Sequence, residues 1–175
     1  MKIILALMIA GLATPAAAEV VSAGSNGFEV RETVPLVVPT GTAFDSFRNI
    51  GDWWDPQHTY SGDSANLNLE LVPGGCFCER LPKSSGGIEH LRVAYVEPGK
   101  RVVLTGALGP LLYEATTGVM DIEFKTIAGG SLITLDYKVA GFANGGAAQL
   151  APAVDEVLAV QMKRLRSYAT SRPKA

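Results

Sequence analysis

The sequence contains few of the residues from which most catalytic and metal-binding motifs are built. Its 175 residues include only two cysteines and two histidines, and charged side chains make up 18% of the chain. We find no Ser-His-Asp order typical of a hydrolase, no glycine-rich loop that would cradle a phosphate and no helix with paired metal ligands. We therefore predict neither a metal site nor a cofactor.

Clusters of basic residues are also scarce. The chain has 15 Lys and Arg against 17 Asp and Glu, and only residues 163–166 group basic side chains closely. Nucleic-acid binding needs a basic stripe with aromatic platforms on it, so nucleic acid is not an expected partner. Low charge together with a hydrophobic fraction of 47% indicates a large buried or ligand-lining surface.

The longest apolar run lies at the N-terminus. Lys2 supplies a basic start, residues 3–12 are apolar, and residues 16–18 are the small residues of a cleavage site. The run is shorter than the roughly 20 residues that a transmembrane helix needs. We interpret residues 1–18 as a secretory signal peptide and residues 19–175 as a single domain. We expect a periplasmic or secreted protein with no stable membrane insertion after signal cleavage; the sequence does not indicate its oligomeric state.

The middle of the chain has the alternating pattern of β-strands. After a loose start at residues 19–26, strands separated by Pro-Gly or Gly-Gly turns are predicted at 28–34, 67–71, 76–81, 88–96, 101–104, 116–126 and 132–139. Thr40 is the predicted N-cap of a short helix at 42–50 that Gly51 ends, and a second short helical piece follows at 52–56. Short turns between successive strands imply an antiparallel meander.

The segment 149–168 predicts a long terminal helix. Its apolar residues recur at helical spacing: Leu150, Val154, Val157, Leu158, Met162, Leu165 and Tyr168. The sheet is the partner that can bury this stripe. The fold class is therefore α+β, a curved antiparallel sheet of about seven strands around a long C-terminal helix, with two short helices after the first strand. A cavity is expected between sheet and helix.

Short sequence motifs support the predicted fold. The chain has a helix with Phe44 and Phe47 leading to Trp53-Trp54, the string PGGCFCE at 73–79 and the string HLRVAYVEPGKRVVL at 90–104. With the order of elements, these resemble the START-like or SRPBCC superfamily and its helix-grip fold. That group includes polyketide cyclases, birch-pollen-type plant allergens and a co-chaperone domain that activates a heat-shock ATPase. The resemblance covers roughly residues 28–169 and is strongest to secreted bacterial members of uncharacterised role.

The resemblance implies that a small hydrophobic molecule binds in the cavity, outside the cytoplasm. The side chains expected to line it are Trp53, Trp54, His58, Phe77, Glu79, Leu91, Val93, Tyr95, Met120, Phe124, Leu135, Val154, Leu158 and Met162. The alternative is an enzyme similar to the polyketide cyclases or dehydratases. There a cavity carboxylate, Glu79 or Glu89, would act as general acid or base with help from His58 or Tyr95. A protein-interaction module is a third possibility, although a periplasmic chain does not reach a cytosolic ATPase.

Strand alternation predicts which side chains face inward. If Leu91 and Val93 face the helix, Glu89 and Tyr95 share their face, and His90 points outward. On the neighbouring strand, an inward Phe77 would bring Glu79 into the cavity. The favoured alternative is that one or both carboxylates lie in solvent at strand ends or pair with Arg80 or Arg101.

The aromatic segment 53–60 also has two interpretations. Trp53, Trp54 and Tyr60 can form a rim that grips an apolar or ring-shaped ligand, with His58 as a polar handle. Alternatively, the tryptophans close the core and His58 lies in a surface loop. One tryptophan in the core and the other at the rim would satisfy both interpretations.

The two cysteines, Cys76 and Cys78, lie two residues apart on a predicted strand. Side chains at this spacing are about 7 Å apart, whereas a disulfide needs Cβ atoms at about 3.5–4.5 Å. The spacing favours two reduced cysteines over a strained bridge, although the expected oxidising compartment permits one. A metal or redox role is the remaining alternative, but adding His58 and His90 matches no zinc-site spacing.

Overall fold

One antiparallel sheet of eight strands and a long C-terminal helix form the framework of the protein. A computed structural model describes residues 17–171. The strands are β1 (Ala17–Gly24), β2 (Gly27–Leu36), β3 (Leu67–Leu69), β4 (Cys76–Leu81), β5 (Gly86–Glu97), β6 (Arg101–Gly106), β7 (Ala115–Ile127) and β8 (Gly130–Phe142). The helices are α1 (Thr40–Arg48), α2 (Ile50–Trp53) and α3 (Ala151–Ser171), and short 3₁₀ turns occur in the connecting segments.

The strand order confirms the predicted α+β helix-grip architecture. It is β1-β2-β8-β7-β6-β5-β4-β3, with every neighbouring pair antiparallel. Strands β3 to β8 form the expected meander, and the hairpin of β1 and β2 joins it at β8. Helix α3 packs across β1 and β2 and also contacts α1 and α2. Within residues 17–171, no helix is long and apolar enough to cross a membrane.

The loose start predicted at residues 19–26 is wrong. This segment belongs largely to β1, which pairs with β2 across the two-residue turn Ser25–Asn26 and raises the strand count from about seven to eight. Ser25 and Asn26 are both common turn residues, a signal that the sequence does contain. The predicted signal peptide lies outside the described residues, except that Ala17 and Ala18 are the first residues of β1.

The short helices also differ from prediction in their limits. Helix α1 begins at Thr40 with Pro39 at the N-cap position, and Gly51 lies inside α2 instead of ending a helix. A Cβ atom at Gly51 would lie 3.0 Å from the carbonyl oxygen of Ser64 and 3.2 Å from that of Leu67. Glycine is therefore needed here for close backbone approach, not for helix termination.

The apolar stripe of α3 is packed unevenly along its length. Its C-terminal half is buried against the sheet through Met162, Leu165 and Ala169. In the N-terminal half, Val154 and Val157 are only half-buried. The sheet thus leaves part of the stripe uncovered, and the cavity described below lies there.

Cys76 and Cys78 form a disulfide, so the prediction of reduced cysteines is wrong. Their Cα atoms are 5.3 Å apart, closer than the roughly 7 Å spacing of a flat strand. The pairing of β4 with β5 shifts register between Phe77 and Cys78, within the bridged segment. The two cysteines face away from the core and are half-exposed, as the orientation of Phe77 predicts.

We expect the denatured, unreduced protein to contain no free thiol, because both cysteines are bridged. A thiol count with Ellman's reagent should rise from none to two on reduction, with a mass gain of two hydrogens. The variant Cys78→Ser is the control and should show one thiol with or without reductant. Two thiols in protein purified without reductant would contradict the bridge.

Candidate functional site

A cavity of about 500 Å³ lies under the N-terminal half of α3. Its other walls are the aromatic segment after α2, the facing parts of β4 and β5, and the turn Gly109–Tyr113. The lining residues are Trp54, Gln57, His58, Thr59, Tyr60, Phe77, His90, Leu108, Gly109, Pro110, Leu111, Tyr113, Glu114, Leu150, Ala153, Val154, Val157 and Leu158.

The two adjacent tryptophans have different roles. Trp54 lines the cavity and packs edge-on against Phe77, with ring centroids 5.4 Å apart. Its indole N–H donates to the carbonyl of His58 at 3.0 Å, which fixes the start of the aromatic segment. Trp53 is a core residue, and its N–H donates to the carbonyl of Ser46 at 2.9 Å. The structure thus has one tryptophan in the core and the other on the cavity wall.

The predicted lining residues fall into separate groups. Trp54, His58, Phe77, Val154 and Leu158 line the main cavity. Trp53, Met120, Leu135 and Met162 instead surround a void of about 20 Å³ deeper in the core. Leu91, Val93 and Phe124 are buried in the core and border neither space. The sequence therefore predicts which positions are apolar and interior. It does not distinguish the residues that line the cavity from the residues of the core.

The inward orientation predicted for Glu89 and Tyr95 is wrong. Glu89 is exposed and pairs with Arg92, and Tyr95 is 46% exposed with its hydroxyl donating to Glu97 at 3.0 Å. His90, predicted to point outward, is only 5% exposed and lines the cavity.

Two bulges in β5 explain these reversals. Phe77 pairs with Leu91 and Cys78 with Glu89, so His90 is an extra residue in β5. The second register shift, between Val93 and Tyr95, leaves Ala94 as another extra residue. Each extra residue reverses the alternation of faces, because side chains along a strand have a period of two.

Glu79 is buried, which is the less favoured of the two alternatives that the sequence left open, and protein donors occupy its carboxylate. It is 1% exposed, and its oxygens accept from the backbone N–H groups of Ser61 at 2.5 Å and Tyr60 at 3.1 Å. The Nε2 atom of His90 lies 3.1 Å from Oε2. Burial alone would raise the pKa of Glu79, but these hydrogen bonds outweigh burial and hold the pKa below its ordinary value. Glu79 is therefore an ionised anchor behind the cavity wall.

Glu79 also determines which ring nitrogen of His90 carries the proton. Burial lowers the pKa of His90, against the opposing effect of the Glu79 hydrogen bond and charge, so the ring is neutral at pH 7. Because the Glu79 carboxylate only accepts, Nε2 carries the ring proton and Nδ1 keeps a lone pair. Within residues 17–171, this buried Nδ1 has no hydrogen-bond partner. The ring packs against Phe77 and Tyr60, with centroids 5.0 and 6.0 Å away.

A hydrogen bond from α3 orients the imidazole of His58. The side-chain oxygen of the buried Gln161 accepts from the backbone N–H of Asp55 at 2.8 Å, so its amide nitrogen faces Nδ1 of His58, also at 2.8 Å. That amide nitrogen can only donate, which leaves the His58 proton on Nε2. The two histidines thus have the same tautomer and different partners: His90 donates through Nε2 to Glu79, whereas His58 accepts at Nδ1 from Gln161.

Tyrosines lie at the entrance to the cavity. Tyr60 and Tyr113 line it, with ring centroids 6.3 Å apart in an edge-on arrangement, and Tyr113 is 75% exposed. The segment that leads to Tyr113 is held by the buried Tyr137, whose hydroxyl accepts from the N–H of Leu108 and donates to the carbonyl of Gly106, both at 3.1 Å. Burial raises the pKa of Tyr137 to about 12, so this hydroxyl keeps its proton.

Within residues 17–171, one side-chain cluster has the spacing of metal ligands: the Cys76 and Cys78 sulfurs with a Glu89 oxygen, within 4.8 Å of one another. Metals bind cysteine as a thiolate, whereas these sulfurs form a disulfide. The cluster also lies on the outer face of the sheet, away from the cavity. The arrangement therefore does not favour a metal.

No protein-family model matches the chain, and no curated protein matches its sequence. Solved structures do match. An uncharacterised protein from Rhizobium leguminosarum is 14% identical, with 91% of this chain and 100% of that one covered at a TM-score of 0.63. CalU16 from Micromonospora echinospora is 9% identical, with 92% and 88% covered at 0.59. The di-domain ARO/CYC BexL of the BE-7585A biosynthetic pathway is 16% identical, with 86% and 52% covered at 0.56.

At these identities the similarity concerns fold, not activity. The chain spans about half the length of BexL and nearly all of the other two proteins. The protein has an α+β helix-grip fold, and these solved structures share that fold.

Proposed function

We propose that the protein binds a small hydrophobic molecule in this cavity, outside the cytoplasm. The cavity itself carries the proposal: its volume of about 500 Å³ lies within the usual range of ligand pockets, and its walls are mostly aromatic and aliphatic. Few polar groups interrupt those walls. This combination is typical of sites that recognise an apolar body and orient it through a few hydrogen bonds.

The packing of α3 supports binding over a purely structural role for the cavity. Val154 and Val157 belong to the apolar stripe of the helix and Leu150 directly precedes the helix, but the sheet leaves all three half-buried. A ligand in the cavity would remove this surface from water, with a gain of about 25 cal/mol per Å² of apolar area.

Two observations support a location outside the cytoplasm. The N-terminal residues 1–18 have the basic, apolar and small-residue order of a secretory signal. Cys76 and Cys78 are bridged, and disulfides persist mainly in oxidising compartments.

A cyclase-like or dehydratase-like enzyme is the second candidate, and the pairing of His90 with Glu79 favours it. The general base would then be His90 at Nδ1, supported by the Glu79 carboxylate at Nε2, instead of a carboxylate acting directly. A catalyst of this kind would exchange the α-protons of an enolisable ligand with solvent, whereas a binding protein would not. Deuterium exchange followed by NMR separates the two activities.

The cavity proposal is tested by filling the cavity. The substitution Val157→Trp adds an indole to its wall and should weaken binding of the neutral fluorescent probe N-phenyl-1-naphthylamine by about tenfold or more. Val119→Trp is the matched control, because Val119 is 44% exposed outside the cavity, and it should leave the affinity unchanged. Native mass spectrometry of the purified protein provides a search for a bound natural ligand. Failure of the wild-type protein to bind the probe, or equal affinity in both variants, would contradict the proposal.

A further inference from the structure

We infer that the Cys76–Cys78 disulfide is a second site, which oxidises pairs of thiols by thiol–disulfide exchange, with Cys78 as the sulfur that a substrate thiolate attacks. The substrates are dithiols, either small molecules or peptide segments with two cysteines. The two cysteines lie on the outer face of the sheet, whereas Phe77 between them lines the cavity. The inference is therefore independent of the ligand that the cavity binds.

The disulfide adds little to the stability of the fold. A disulfide that closes a longer loop generally stabilises more, and this one encloses a single residue. Strand β4 is already paired with β3 on one side and with β5 on the other. In addition, the N–H of Glu70 donates to the carbonyl of Cys76 at 3.1 Å. A structural role therefore does not account for the bridge.

The backbone around the bridge favours the reduced form. Residues two apart on a flat strand have Cα atoms about 7 Å apart. Those of Cys76 and Cys78 are 5.3 Å apart, and the pairing of β4 with β5 shifts register in the same segment. Reduction allows the strand to relax towards the flat spacing. The bridge is therefore a stronger oxidant than an unconstrained disulfide.

Substrate thiols can reach the bridge from solvent, because both cysteines are half-exposed. An open groove of about 660 Å³ on the outer face has Cys78 in its wall, between residues of β3 and β5. Asn68 and Glu89 pair with Cys78 from the two sides, and both are exposed groove residues. Of the two cysteines, Cys78 is the one in the groove wall, so an incoming thiolate meets it first.

Neighbouring charges favour the same direction of attack. On β5, Arg92 lies opposite Cys76 and Glu89 lies opposite Cys78. A Glu89 oxygen is within 4.8 Å of both sulfurs, so its negative charge opposes a thiolate on either one. Arg92 pairs with Glu89 and offsets that charge beside Cys76. Cys76 is therefore the better leaving group, because a nearby guanidinium stabilises its thiolate.

The exchange needs two substrate thiols and no other reactant. The first substrate thiolate attacks Sγ of Cys78 and forms a mixed disulfide, while the bond to Cys76 breaks and Cys76 leaves as a thiolate. The second substrate thiolate attacks the substrate sulfur of the mixed disulfide and releases the thiolate of Cys78. Two substrate thiols become one disulfide, and the protein disulfide becomes two thiols that take up the two substrate protons. A small disulfide such as oxidised glutathione reverses the change in the protein.

A single-turnover reaction in deoxygenated buffer tests the inference. Oxidised protein is mixed with an equimolar synthetic peptide that carries two nearby cysteines, or with dithiothreitol. We expect one substrate disulfide and two protein thiols per chain, formed about tenfold or more faster than oxidised glutathione oxidises the same dithiol. The double variant Cys76→Ser/Cys78→Ser should be inactive and still bind N-phenyl-1-naphthylamine. An enhanced rate with only one of the dithiols would identify the substrate source, and a rate no higher than that of oxidised glutathione with both would overturn the inference.

The direction of attack has its own test. Acid-quenched mixed disulfide, mapped by mass spectrometry, should have the peptide on Cys78, and attachment to Cys76 would overturn that assignment. Asn68→Trp adds an indole to the groove wall and should slow peptide oxidation about tenfold. Val119→Trp, exposed on β7 outside the groove, is the matched control and should react like the wild type.

The charges beside the bridge give a further comparison. Arg92→Gln should slow the reaction several-fold, because the Glu89 charge is then no longer offset beside the leaving sulfur. Glu89→Gln should accelerate it, because the repulsion of thiolates is removed. Equal rates in these two variants would contradict the assigned roles of the charges.

Discussion

Replacing Glu32 by Gln is expected to raise the free energy of unfolding at neutral and alkaline pH by a few kcal/mol. Glu32 lies on β2 and is 3% exposed beneath α3. Burial, followed by the charge of Asp155, raises its pKa to about 8, and only Lys163 opposes the shift. The pKa of Asp155 is raised as well, chiefly by burial, and the Glu19 charge adds to it. Gln can keep a hydrogen bond to Asp155 without ionising.

The sign of the pH dependence follows from the direction of the Glu32 shift. The folded protein holds the Glu32 proton up to about pH 8, whereas an unfolded chain releases it near the ordinary value of 4.5. The stability contributed by the protonated group is complete below pH 4.5 and declines as pH rises towards 8.

Urea unfolding of Glu32→Gln and the wild type between pH 5 and 9 tests the prediction. The two stability curves should diverge as pH rises, because only the wild type loses the Glu32 contribution. Glu156→Gln, an exposed substitution on α3, is the control and should follow the wild type. Parallel curves for Glu32→Gln and the wild type would show that the Glu32 pKa is not raised.

Replacing Glu79 by Gln should have the opposite effect and lower the free energy of unfolding by about 3 kcal/mol. Both carboxylate oxygens accept from N–H donors: Ser61 on one, and Tyr60 and His90 on the other. An amide NH₂ in either position faces a donor and leaves it without an acceptor. Urea denaturation at pH 7 measures the loss.

The exposed Glu89→Gln is the matched control for Glu79→Gln and should change stability by less than about 0.5 kcal/mol. The pH dependence gives a second test. Because the folded pKa of Glu79 is lowered, its contribution to stability is present above the ordinary value of 4.5 and is lost as pH falls through the folded pKa. The wild type should therefore lose more stability than Glu79→Gln on acidification below pH 4.5. Equal stability of Glu79→Gln and the wild type at pH 7 would contradict the anchoring role.

The cavity connects these stability effects with the proposed function. Glu79 holds the segment with Tyr60 and Ser61 against β4 and also orients His90, so one buried carboxylate organises two sides of the cavity wall. Gln161 on α3 likewise orients the ring of His58 through a hydrogen bond. Both polar supports lie behind the wall, which leaves the cavity surface itself mostly apolar.

Most of the fold was predictable because its signals are local. Alternation in β2 and β8 and the helical stripe of α3 each follow from neighbouring residues, and the short turns limit how the strands can connect. The hairpin of β1 was missed, although its turn contains Ser25 and Asn26, both common turn residues. Five of the predicted lining residues do line the cavity: Trp54, His58, Phe77, Val154 and Leu158.

The sequence by itself determined the helix-grip architecture and an apolar interior under α3. The tertiary structure decided which residues form the site. Each bulge in β5 depends on pairing with β4 or β6, and it changes which side chains face inward without altering the apolar pattern of neighbouring strands. The hydrogen bonds of the His90 and His58 rings likewise depend on Glu79 and Gln161, which only folding brings to them. Periodicity reports which face of an element is buried, whereas a site depends on contacts between elements, and those contacts exist only in the folded chain.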